Sequence, residues 1–186
     1  SSFSSPVVVG VANTNSGNPA MVVEVQNVTS TSAQIRVCES DADVSAGCAT
    51  HPAEDVAYMV FDAADASGIA GIEAGTFVTD DRFDGGGATN INFSTPFTNT
   101  PLLFTNVQSV TGAQFPVEAR VTATSTTGFT AGICFQSSND ICDASKGNET
   151  VGWIAIDPDE FVSNLQNDAG TLTVDNSLWS SISFTT

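Results

Sequence analysis

Positive charge is almost missing from this chain. Its 186 residues carry only Arg36, Arg82, Arg120 and Lys146 as strong bases and one histidine, against 21 acids, for a formal net charge of −17. A surface of that sign repels phosphate backbones and anionic lipid, so nucleic acid and acidic membranes are excluded as partners. No apolar run approaches a membrane span, and no basic n-region with an apolar h-region opens the sequence; an exported protein would show its mature part here. Catalytic groups are scarce too. His51 stands beside Pro52 with no Ser or Cys that the sequence assigns to it as a nucleophile, and the chain is expected not to be an enzyme. Cys-x-x-Cys spacing is absent, which leaves a zinc site as the weaker reading of the four cysteines.

Thr, Ser, Val, Asn and Gly dominate instead, and the 41% hydrophobic content is enough for a packed core. That composition favours strands and turns. The chain also repeats itself, with anchor pairs about 95 residues apart. Pro6 matches Pro101, and Val23-Glu24-Val25 matches Val117-Glu118-Ala119. Glu54, Val56, Tyr58, Phe61 and Asp62 match Glu149, Val151, Trp153, Ile156 and Asp157, and Ala74-Gly75-Thr76-Phe77 recurs as Ala169-Gly170-Thr171-Leu172. The cysteines conform to the repeat: Cys38 with Cys48 and Cys134 with Cys142 read as one local disulfide per copy, which implies an oxidising, extracellular setting.

Period-two patterning predicts an all-β fold. Strands are expected at about 75–79, 89–95, 102–110, 117–124, 129–136 and 150–157 in the second copy, the last of them buried on both faces. The first copy supplies counterparts to the last four only, at about 6–12, 21–28, 33–39 and 55–62. Two unpaired strands come after the second copy, at about 170–175 and 180–186. Domain 1 (1–62) therefore lacks its first two strands; connectors run over 63–74 and 158–168, domain 2 over 75–157, and a donor segment over 169–186. A four-stranded remnant leaves edges and apolar faces uncovered. Three arrangements resolve this. The tail folds back within its own chain, it enters the next molecule as a donated hairpin, or the sequence is a two-repeat window of a longer chain.

Asn92-Phe93-Ser94-Thr95-Pro96-Phe97 with Pro101-Leu102-Leu103, Glu118-Ala119-Arg120-Val121-Thr122 through Thr127-Gly128-Phe129, and Val151-Gly152-Trp153-Ile154-Ala155 together resemble the strands of H-type lectin domains. The likeness is clear over 75–157 and looser over 1–62, and the tail resembles the start of a third copy. It implies six-stranded antiparallel β-sandwiches, two in tandem; the strand count then leads to the expectation that the first is completed by a hairpin from a neighbouring subunit or repeat. In that family an Arg and acidic loop residues hold the sugar; Arg120, Asp80 and Asp81 fall at those places. The family's aromatic-and-His loop has no counterpart after Cys134, and in the first copy Gln26 stands where the Arg would be.

The expected function is an extracellular structural or adhesive protein that assembles head to tail with itself, as a cell-surface filament or stalk. Leu172, Val174, Ile182 and Phe184 are the donated apolar residues, and Val7, Val9, Val23, Val25, Ile35, Tyr58 and Phe61 the receiving core. A carbohydrate-binding module, with glycans as partners, is the alternative. Asp80, Asp81 and Asp84 form a candidate Ca²⁺ cluster, as do Asp41 with Asp43, Asp62 with Asp65, and Asp157 with Asp159 and Glu160. Sequons at Asn27, Asn92 and Asn148 permit glycans in a host that adds them.

Overall fold

The computed structural model describes residues 2–17, 21–39, 51–66, 69–80, 88–111, 116–135, 147–159, 167–174 and 180–183. The valine- and threonine-rich runs form strands, as their β-branched side chains favour. In chain order these are β1 (Pro6–Ala12), β2 (Met21–Gln26), β3 (Ser32–Glu39), β4 (Glu54–Asp62), β5 (Ile72–Thr79), β6 (Thr89–Asn92), β7 (Leu102–Val107), β8 (Val117–Thr124), β9 (Gly128–Phe135), β10 (Glu149–Ile156), β11 (Asn167–Val174) and β12 (Ser180–Ser183). One helical turn, α1 (Ala63–Ala66), comes directly after β4. The fold is all-β, and each described pairing is antiparallel. Strand ends differ from expectation by a few residues: β5 and β11 begin earlier, at Ile72 and Asn167, which shortens both connectors.

Four three-stranded sheets result, with orders β1-β4-β11, β12-β3-β2, β5-β10-β7 and β6-β9-β8. The first two enclose a core of Phe3, Val8, Val25, Ala33, Ile35, Val37, Val56, Val60 and Ile182. The other two enclose an aromatic core of Phe93, Phe129 and Trp153, continued by Val107, Val117, Ile133 and Val151. A third cluster joins the copies: Val7, Val9 and Phe61 meet Ile72, Ala74, Ile154 and Ile156. So β4 and β10 are each covered on both faces, which is why they read as nearly continuous apolar runs. At the β8–β9 turn, Gly128 lies so close to β6 that an added Cβ would fall 2.3 Å from the Ile91 carbonyl oxygen.

The receiving core differs from expectation. Val25 and Ile35 belong to it, and Val23 and Tyr58 pack against it, but Val7, Val9 and Phe61 point away, into the contact with the second copy. Successive side chains on a strand face opposite ways, so the inward positions fall to Val8, Val56 and Val60.

The tail strands take their places within this chain: β11 pairs with β4 and β12 pairs with β3. The copies pack face to face through their apolar cluster, so β10 ends near the first copy and the tail need not cross the second. The first copy is thereby built from two separate stretches of one chain.

Candidate functional site

The feature that distinguishes this molecule is the slot where the tail strands lie. On β4, Glu54 faces Val174 and Phe61 faces Asn167; on β10, Glu149 faces Thr79 and Ile156 faces Ile72. Each residue of the first pairings is 95 positions from its counterpart in the second, so β11 occupies the register of β5. The other sheet agrees, with Ile182 opposite Ala33 where Ile91 is opposite Phe129. Ile182 is buried in the first core. Leu172 and Val174 pair with Val56 and Glu54 through the backbone, and Phe184 lies outside the described residues.

Buried carboxylates fasten both copies in the same way. Glu54 accepts the hydroxyl hydrogen of Thr14 at 2.5 Å, and the Ser16 N–H at 2.5 Å and hydroxyl at 3.2 Å. Glu149 takes the same bonds from Ser109 and from the Thr111 N–H and hydroxyl. Each holds the loop after the first strand of its four-strand block. Burial alone would raise the Glu54 pKa, but the hydrogen bonds from Thr14 and Ser16 outweigh it and hold the carboxyl below its ordinary value. Asp62 receives N–H groups from Ser4, Ser5 and Ala64, and these lower its pKa against the opposing effect of burial. Asp157 is lowered first by the Asp159 N–H, with burial opposing and Asn99 assisting. Two of the acid clusters considered for Ca²⁺ thus contain carboxylates already holding backbone.

A second set of polar contacts crosses between copies. The Asn106 side chain on β7 accepts the Gly10 N–H at 3.0 Å and donates to the Val23 carbonyl at 2.9 Å. Glu24 on β2 pairs with Arg36 on β3 at 2.6 Å and accepts the Val117 N–H of β8 at 3.3 Å. Burial pushes the Glu24 carboxyl up, and Arg36 pulls it partly back.

Arg120 bonds Glu118 on its own strand, Asp80 is exposed just past β5, and Asp81 and Asp84 lie outside the described residues. Ladder register makes Glu24, rather than Gln26, the counterpart of Arg120: Glu24 faces Arg36 and Arg120 faces Gly132, and a bulge between Val121 and Ala123 shifts the later pairs of that ladder. Grooves of about 230 and 250 Å³ lie beside Asn90–Asn92 with Thr127–Thr130 and beside Ile69–Glu73 with Ser94–Thr98, and neither includes Arg120 or Asp80. His51 is buried, its Nδ1 2.9 Å from the Pro52 carbonyl oxygen and 3.5 Å from Glu54. Cys38 and Cys134 are disulfide-bonded, and their expected partners Cys48 and Cys142 lie outside the described residues.

Sequence reasoning missed the contacts of Asn106 and Glu24. The Glu54/Glu149 and Asp62/Asp157 matches were visible in the repeat; their recurrence as acids at strand ends was the available signal of a structural duty. Nothing marked Asn106, whose repeat counterpart is Val11. Among the described residues no helix is long and apolar enough to cross a membrane. No protein-family model, curated protein or solved structure matches this chain.

Proposed function

We propose that this is an extracellular structural or adhesive repeat protein built from two H-type-lectin-like sandwiches. Its C-terminal strands complete the first sandwich, within the chain when it is alone and in a neighbour when chains assemble head to tail. One observation carries this reading: the tail takes the same register on β4 that β5 takes on β10, at a spacing of 95 throughout. The slot on β4, filled here by the chain's own β11, would make the same contacts with β11 of another chain. Such a head-to-tail contact closes when both ends meet in one molecule and propagates when they do not. Disulfide-bonded Cys38 and Cys134 fit an oxidising location, and the strong negative charge disfavours unspecific clumping. The reading assigns no catalysis.

Electron microscopy and light scattering on the full chain and on a chain ending at residue 166 test it. Filaments or multiples of the 19.1 kDa unit are expected from the full chain alone. Equal assembly without the tail would contradict the proposal. Glycan binding takes second place, because Glu118 engages the Arg120 guanidinium; glycan-array signal lost on Arg120→Ala would reverse that order.

A further inference from the structure

We propose that Asn106 and Glu24 form an intramolecular latch that keeps the tail strands in their own chain and restrains exchange between chains, a proposal that rests on the strand-exchange reading above. Asn106 belongs to the second copy but bridges the two sheets of the first, taking one N–H from β1 and giving one N–H to a β2 carbonyl. Both strands are sheet edges, where unpaired backbone groups need partners. Glu24 reaches the other way, from the first copy to the Val117 N–H that opens β8. Each is buried, so neither contact is softened by bulk water.

Comparison of the copies separates folding from joining. Residues needed to build a sheet pair recur in both, as Glu54 with Glu149 and Asp62 with Asp157 do. The latch does not recur. Val11 stands 95 residues before Asn106 and is 57% exposed, while Arg120, the ladder counterpart of Glu24, bonds Glu118 on its own strand. The second sheet pair forms without either device, so their role is to dock one copy on the other.

Docking matters because the tail comes after β10 in sequence. The local concentration of β11 at β4 is set by how close the second copy is held to the first. With the copies docked, a tail that detaches returns at once to its own slot. With the latch released, the connector has a longer span to cover, and the tail of another chain competes for the slot.

Full-length Asn106→Ala and, separately, the milder Glu24→Gln are compared with the unaltered protein. Amide hydrogen exchange is measured over β11 and β5, and mass by light scattering. Exchange over β11 is expected to quicken roughly tenfold, the factor carried by 1.4 kcal/mol, with β5 unchanged and with masses at multiples of the 19.1 kDa chain. A folded variant whose β11 amides exchange as before overturns the latch. Equal acceleration over β5 and β11 also overturns it, since that is general loosening. Faster exchange over β11 alone, with the mass of one chain, upholds the latch and instead overturns exchange between chains. If Asn106→Ala does not fold, Glu24→Gln is read by the same criteria.

Discussion

The second copy runs through one continuous stretch, β5 to β10, whereas the first is assembled from β1 to β4 and from β11 and β12 after the whole second copy has intervened. The β4–β11 and β10–β5 ladders nevertheless agree pair for pair. A strand slot is therefore specified by the neighbouring ladder and the apolar face beneath it; the covalent order in which strands arrive is secondary. The copies differ in what fills their cores and in what joins them. The second core is aromatic, with Trp153 against Phe93 and Phe129 at centroid distances of 5.8 and 5.4 Å. The first is mainly aliphatic, with Phe3 as its buried ring and Tyr58 at the place of Trp153 only partly buried.

Deleting residues 167–186 should break the comparison most severely. Two sheets of the first copy would each lose a strand, and Ile182 would leave its core. Hydrogen exchange should then lose protection over β3 and β4 while β9 and β10 keep it; protection retained over β4 would mean that the first copy does not need its tail. Trp153→Ala should come next, at about 3–5 kcal/mol for a large buried aromatic side chain, with Tyr58→Ala clearly smaller. Denaturant unfolding of the two variants measures the difference, and equal losses would remove the contrast between the cores.

Gly152→Ala sharpens the comparison at one atom. An added Cβ would fall 1.5 Å from the Gln108 side-chain oxygen, so Gln108 has to move, at about 1–3 kcal/mol. The repeat places Ala57 at the same point of the first copy, with Asn13 in place of Gln108. Gln108→Ala should relieve most of the Gly152→Ala penalty in a double-mutant cycle.

The smallest effect is on pH dependence. Glu54, Asp62 and Asp157 have folded pKa values below their ordinary 4.5, 3.8 and 3.8. Their contribution is complete above those ordinary values and is lost as pH falls through the folded ones. Glu24 is shifted upward and opposes this, since its protonation is easier in the folded state. Melting temperature should therefore fall below about pH 4, and less steeply in a Glu54→Gln variant. A melting temperature flat down to pH 2 would remove the carboxylate clasps from the account.

Much of the fold was legible because the repeat and the period-two patterns report the same elements independently. The existence of the twelve strands and the double coverage of β10 came from those signals, as did the two tail strands, although these join different sheets and do not form a hairpin. Which chain the tail completes was not legible. That depends on how the copies dock, and docking is decided by Val7, Val9 and Phe61 facing outward and by Asn106, none of which has a periodic signature different from an inward core position. The Arg120 counterpart was misplaced by two residues because a shift of two along a strand leaves the alternation of faces unchanged, and only the ladder fixes the register. Acid clusters suggested cations since sequence does not reveal that Asp62 and Asp157 already accept backbone N–H groups.

Isotope-filtered NOE spectroscopy on a dilute mixture of labelled and unlabelled chains examines the seating of the tail directly. The account predicts contacts from the Ile182 side chain to Ala33 and Ile35 that arise within single chains. Their absence, or their appearance only between chains, would contradict it.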